Sequence, residues 1–115
     1  MHELGMCEDI IHAIEQRAEG RTVEAVGVRV GVLLRVVDEA FAQSFEIAAG
    51  GTVAQGAEVD LTIVPGAARC SCGTTFEAQE AFPACPSCAS SDVEVSGGDE
   101  LILEWLRYAD VAQEA

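Results

Sequence analysis

The chain contains no lysine, and its positive charge comes from six arginines, with two histidines that are neutral at pH 7. Against them stand 20 aspartates and glutamates, which give a formal net charge of −14. Nucleic-acid binding requires clustered lysine and arginine to contact the phosphates, and the sequence has no such cluster. The composition therefore argues against a nucleic-acid partner. An acidic surface instead attracts metal cations or a basic partner by long-range electrostatics.

Long apolar runs are also missing, since no stretch reaches the ~18–20 residues that a membrane span needs. The sequence begins without the basic and apolar regions of a secretory signal, so we expect a cytoplasmic protein with no membrane partner. In a reducing cytosol, paired cysteines are more typical of zinc ligands than of disulfides. Aromatic residues make up only 5% of the chain, so valine, isoleucine, leucine and alanine must form most of the core.

Hydrophobic periodicity predicts two helices and three strands. Helices are predicted at 4–19 and 36–48, and strands at 23–32, 57–64 and 100–108. The strand at 23–32 alternates apolar with small or polar residues, which predicts one buried face. We therefore predict an α/β two-layer fold in which two helices lie on a three-stranded mixed sheet.

Residues 66–98 differ from the rest in composition, because glycine, serine, cysteine and proline dominate and apolar side chains are few. Such a segment folds when a bound metal supplies the missing free energy. We expect it to form a small zinc-ribbon lobe inserted between the last two strands. Residues 1–65 and 99–115 would then form the α/β domain.

Four of the five cysteines lie in two close pairs: Cys70 with Cys72, and Cys85 with Cys88. The second pair is a CxxC with proline after its first cysteine, a turn that presents both sulfurs to one ion at ~2.3 Å. The CxC pair is less usual because an extended chain points alternate side chains apart, but the turn expected at Gly73 can correct this. Four thiolates leave no open coordination position, so the sequence predicts structural zinc and no enzymatic activity.

A different interpretation is that the cysteines are redox thiols, as in a thioredoxin-like CxxC. The glycine- and serine-rich surroundings and the companion pair favour zinc. The remaining cysteine, Cys7, lies in the apolar stripe of the first helix and is expected to be a small buried hydrophobe. His12, at the edge of the same helix, is expected at the surface.

The first three residues offer a second kind of metal site. The Met1 amine, the His2 amide nitrogen and the His2 imidazole can form adjacent chelate rings, and Glu3 is available to orient the site or to supply a fourth donor. Three nitrogens in a plane suit the square-planar preference of Ni(II) or Cu(II). A Met-His start alone is equally typical of a solvated terminus, so the hypothesis depends on its combination with the cysteine cluster.

Five short segments follow one another along the chain: MHEL at 1–4, GTVAQGA at 51–57, CGTTF at 72–76, CPSC at 85–88 and GGDEL at 97–101. Together and in this order they resemble the HypA/HybF family of nickel metallochaperones for NiFe-hydrogenase maturation. The resemblance implies transported nickel bound at the N-terminal His2, and zinc in the cysteine lobe. It also implies docking to the GTPase HypB and delivery to the large subunit of hydrogenase, with urease as a further recipient of some members. We expect a monomer or weak dimer.

The sequence departs from the family pattern in two places. The family's first cysteine pair is CxxC, whereas here Arg69 holds the expected partner position and Cys70 lies one residue closer. Some members also have an acidic residue near nickel in the strand–helix connection, where this chain has Val37 followed by Asp38 and Glu39. We assign no ligand from that connection. The alternative function is a zinc-ribbon interaction module without a nickel role.

Overall fold

The computed structural model describes residues 3–109 of the chain. The elements in chain order are α1 (Glu3–Ala18), β1 (Val23–Gly31), a short 3-10 helix (Val32–Leu34), α2 (Asp38–Ala49), β2 (Glu58–Val64), β3 (Gly66–Cys70), β4 (Thr75–Ala78), β5 (Val93–Ser96) and β6 (Leu101–Tyr108). Each of the five predicted elements is present, with ends displaced by no more than two residues. No helix of this range is both long and apolar enough to cross a membrane.

The strands form two three-stranded sheets, ordered β2-β1-β6 and β4-β3-β5. Around β1 and β6, backbone hydrogen bonds join Ala109 to Thr22 and Gly31 to Glu100, the pattern of antiparallel neighbours. The chain passes from β1 to β2 through α2, the kind of connection that parallel strands require. Two helices with a mixed three-stranded sheet confirm the predicted fold class.

The described residues divide into two compact units. The first, which we call the α/β unit, contains residues 3–28, 36–62 and 102–109. The second, the cysteine unit, contains residues 29–35 and 63–101.

The helices of the α/β unit pack against each other through amphipathic faces. Phe41 and Phe45, spaced four apart on α2, are 0% and 2% exposed, so two of the four phenylalanines lie in this core. Cys7 on α1 is fully buried, and its thiol donates to the Phe41 carbonyl oxygen at 3.6 Å. Its predicted role as a buried hydrophobe is confirmed, as is the exposure of His12.

The expectation of one buried face for β1 is wrong, because nearly every residue of this strand is buried. β1 is the central strand of its sheet, and its positions between the valines are mostly alanine and glycine. The indole ring of Trp105 lies directly against Gly27, where a Cβ atom would overlap it. Small residues on the second face thus allow a large side chain to cover the strand.

The cysteine unit contains a sheet that sequence periodicity did not predict. β3 lies between β4 and β5 and pairs with both in antiparallel fashion, with Ala68 opposite Phe76 on one side and Val95 on the other. The buried side chains of this sheet are small, as in Ala68 and Ala78. A core of this size buries little apolar surface, so the unit obtains limited stability from the hydrophobic effect.

Three glycines allow three chain segments of the cysteine unit to pass in close contact. A Cβ atom on Gly31 would overlap the backbone carbonyl group of Gly98. Gly98 itself has φ of +79°, and a Cβ there would lie 3.0 Å from the Gly66 Cα. The Leu33 backbone N–H donates to the Gly98 carbonyl oxygen at 2.7 Å. We call this contact of Gly31, Gly66 and Gly98 the glycine junction.

Gly31→Ala tests the junction, since its new methyl group meets backbone atoms that cannot rotate away. We expect a loss of about 1–3 kcal/mol in the free energy of unfolding, measured by denaturant titration. Gly5→Ala is the matched control, because Gly5 lies within α1 with no atom near its Cβ position. That variant should gain about 0.5–1 kcal/mol from helix propensity. Unchanged stability in Gly31→Ala would show that the junction tolerates a side chain.

Candidate metal centre

The sulfur atoms of four cysteines converge in the cysteine unit, all within 4.8 Å of one another; they belong to Cys70, Cys72, Cys85 and Cys88. The Cys70 and Cys88 sulfurs are 3.6 Å apart, and those of Cys72 and Cys85 are 3.8 Å apart. Four sulfurs placed tetrahedrally at ~2.3 Å from one zinc ion are ~3.8 Å from each other. The cluster therefore has the dimensions of a tetrahedral four-thiolate site.

The CxC pair reaches the cluster through a tight turn after β3. The Gly73 backbone N–H donates to the Cys70 carbonyl oxygen, and the Cys70 N–H donates to the Thr74 carbonyl oxygen, both at 2.9 Å. Gly73 has φ of +98°, a conformation that glycine adopts without strain. The turn places Cys70 and Cys72 in the same cluster, which agrees with the turn predicted at Gly73.

The CxxC pair lies on a second turn. The Ala89 N–H donates to the Cys85 carbonyl oxygen at 2.8 Å, and the Ser87 N–H donates to the Cys85 sulfur at 3.3 Å. Cys70 and Cys85 are each 3% exposed, whereas Cys72 and Cys88 are exposed. Two of the four sulfurs thus belong to buried residues and two to residues at the surface.

Hydrogen bonds to sulfur stabilise part of the cluster as thiolate. The backbone N–H of Cys88, and to a smaller extent that of Ser87, lower the pKa of Cys85 to about 6. The pKa of Cys72 is lowered first by the Thr74 hydroxyl and then by the Thr74 backbone N–H.

Cys88 behaves differently from its neighbours. The Ser90 backbone N–H lowers its pKa, but the adjacent thiols, Cys70 foremost, and burial together raise it to about 11. Four negative charges at this spacing repel one another. The arrangement needs a bound cation to hold all four sulfurs as thiolates.

Cys7 takes no part in the cluster. Its side chain is buried in the α/β unit, and burial, followed by the negative charge of Glu3, raises its pKa to about 12. A neutral buried thiol is inert as a ligand or nucleophile.

Of the residues predicted to hold nickel, Met1 and His2 lie outside the described range. Glu3 is the first residue of α1, and its carboxylate accepts a hydrogen bond from the Val37 backbone N–H at 3.4 Å. Val37 is the residue that precedes α2 and provides no side-chain cap. The first turn of α2 adds two exposed acidic residues, Asp38 and Glu39. The absence of a capping side chain before α2 is a weak sequence signal for this link.

The fold and the sulfur cluster define a small α/β protein with a zinc-ribbon-like four-cysteine site. A family profile described as "Hydrogenase/urease nickel incorporation, metallochaperone, hypA" matches residues 1–108. The chain belongs to this HypA family of maturation factors.

Named relatives agree with the family assignment. "Hydrogenase maturation factor HypA" of Geobacter sulfurreducens is 38% identical over 107 residues, covering 92% of this chain and 97% of the relative. "Hydrogenase maturation factor HypA 2" of Bradyrhizobium diazoefficiens is 37% identical over 105 residues, covering 88% and 93%. The solution structure of the Ni metallochaperone HypA from Helicobacter pylori shares the fold, with a TM-score of 0.64, 22% identity, and coverage of 94% and 97%.

Proposed function

We propose that this protein is a nickel metallochaperone that binds Ni(II) at its N-terminus and delivers it for the maturation of NiFe-hydrogenase, with urease as a further recipient. The observation that carries the proposal is the family match over residues 1–108, which includes the Met1-His2-Glu3 start. In this role the protein transports a metal and catalyses no reaction, so it is not an enzyme.

The cysteine cluster holds a structural zinc ion in this proposal. Its sulfur spacing suits tetrahedral coordination, and four thiolates exclude the open position that catalytic zinc keeps. The small buried side chains around it give the segment little other stabilisation. We accordingly assign residues 66–98 to a zinc-binding lobe, and residues 1–65 with 99–115 to the nickel-binding α/β domain.

Nickel is the cargo, bound by the Met1 amine, the His2 amide nitrogen and the His2 imidazole, with Glu3 as the neighbouring carboxylate. The hydrogen bond from Val37 to Glu3 holds that carboxylate at the beginning of α1, the residue directly after His2. A negative charge beside the donors favours a divalent cation.

The partners in this proposal are a HypB-type GTPase and the large subunit of hydrogenase. The net charge of −14 favours attraction to basic surfaces on such partners. A cytosolic location keeps the cysteines reduced and available to zinc. The protein acts as a monomer or weak dimer.

The second candidate function is a zinc-ribbon interaction module without a nickel role. The sulfur cluster fits both functions, and the N-terminal chelate fits only the first. Nickel binding by the native N-terminus therefore separates them.

Zinc content tests the cluster assignment. Protein purified without added metal should contain about one zinc per chain by elemental analysis. Cys85→Ser combined with Cys88→Ser removes two of four ligands and should abolish zinc retention. Cys7→Ala is the control, because Cys7 lies outside the cluster and its loss should leave zinc content unchanged. Unchanged zinc in the double variant contradicts the assignment.

Removal of zinc should disorder the lobe while sparing the α/β domain. Residues 66–98 depend on the metal for most of their stability, whereas Phe41, Phe45 and their neighbours form an independent core. Amide hydrogen exchange on zinc-free protein should show protection lost across 66–98 and retained in α1 and α2. Equal loss of protection in both regions would mean that zinc stabilises the whole chain.

Nickel binding should require both the free N-terminus and the imidazole. A tag fused before Met1, or His2→Ala, should abolish high-affinity Ni(II) binding in calorimetric titration and leave zinc in place. Affinity should fall steeply below pH ~7, because amine, amide and imidazole must all lose protons to bind. His12→Ala is the matched control, since it removes the other, exposed histidine. Equal nickel affinity in native, tagged and His2→Ala protein would exclude the N-terminal site.

A further inference from the structure

We propose that the hydroxyl of Thr74 is a positioning group of the metal site, where it donates a hydrogen bond to the Cys72 thiolate. The inference rests on the proposed zinc site and assigns a role to a residue outside the four ligands. Its basis is the contact between Thr74 Oγ1 and Cys72 Sγ, at 3.2 Å. A metal-bound thiolate has no proton, so the hydroxyl is the donor in this pair.

Thr74 contacts both cysteines of the CxC pair. Its carbonyl oxygen accepts from the Cys70 N–H at 2.9 Å, and its hydroxyl lies 3.2 Å from the Cys72 sulfur. Thr74 therefore closes the turn through its carbonyl oxygen and places its hydroxyl at the Cys72 sulfur. The Gly73 N–H is unavailable for that purpose because it donates to the Cys70 carbonyl oxygen.

Cys72 and Cys88 are the two exposed cysteines of the cluster, and the Thr74 hydroxyl contacts the first of them. Cys70 and Cys85 are buried, and the Cys85 sulfur receives backbone N–H groups from its own turn. Cys72 is exposed, so water and small electrophiles reach its sulfur. A donor fixed at the sulfur orients it toward the metal and reduces its nucleophilicity. Removal of such an outer partner typically costs 10–100-fold in metal affinity.

The next residue in the chain provides a matched control. Thr75 is the first residue of β4, is exposed, and pairs with Arg69 across the sheet. Thr74 and Thr75 are adjacent in the chain and carry the same side chain. The Thr74 hydroxyl contacts a sulfur, and this contact is what the comparison tests.

The experiment compares Thr74→Val, Thr74→Ser and Thr75→Val with the unmodified chain. Thr74→Val keeps the branched shape of the side chain and removes only the donor. In competition with a zinc-binding chromophore, we expect about a tenfold loss of zinc affinity for Thr74→Val. Thr74→Ser restores the hydroxyl and should return the affinity to that of the unmodified chain, which Thr75→Val should match.

Alkylation of the zinc-loaded proteins by iodoacetamide, mapped by mass spectrometry, gives a second readout. Cys72 should be the first residue modified in Thr74→Val, several-fold faster than in the other proteins. Cys7 should stay unmodified in all four, which shows that the α/β unit remains folded.

Three outcomes overturn the inference. If Thr74→Val and Thr75→Val have the same zinc affinity and the same rate of Cys72 labelling, the Thr74 hydroxyl has no role at the site. A loss that Thr74→Ser fails to restore would assign the effect to the threonine methyl group. Absence of zinc from the unmodified chain would overturn both the zinc site and this inference. If the unmodified chain contains zinc and the Thr74 variants still show no effect, only this inference fails.

Discussion

The cysteine unit depends on one electrostatic constraint, the convergence of four sulfur atoms that cannot all carry charge without a cation between them. Hydrogen bonds favour the thiolate at Cys85 and Cys72, while the adjacent thiols oppose it at Cys88. The sheet that carries the first pair contributes mainly alanine and glycine to its buried side, so packing does little to hold the sulfurs together. A bound zinc ion would resolve the repulsion and supply the missing stability in one step.

The α/β unit is stabilised differently. Phe41 and Phe45 bury one face of α2, and α1 contributes Ile14 and Cys7. The valines of β1 that belong to this unit, Val23, Val26 and Val28, are almost fully enclosed. Full burial of each large apolar side chain contributes about 1.5–3 kcal/mol, so this unit needs no metal to form a core. The chain thus combines a region held by packing with a region suited to metal.

Much of this arrangement was predictable because the relevant signals are local. Helical spacing of apolar residues predicts α1 and α2, and the spacing of the two cysteine pairs predicts the sulfur cluster. Three features escaped for physical reasons. The apolar residues of β3 are small, so their alternation is too weak to predict a strand. Trp105, which covers Gly27 of β1, lies far from it in sequence, and the bond from Val37 to Glu3 joins residues 34 apart. These last two features are tertiary contacts, which periodicity does not encode.

The glycine junction has a consequence for the order in which the protein folds. Cys70 and Cys88 are 18 residues apart, so closing the loop between them costs little conformational entropy and can occur early. Gly31 and Gly98 meet across 67 residues, and this contact cannot form until most of the chain has been synthesised. Contacts of such long range form slowly. We therefore expect a nascent chain to bring the sulfurs of the proposed zinc site together first and to complete the junction afterwards.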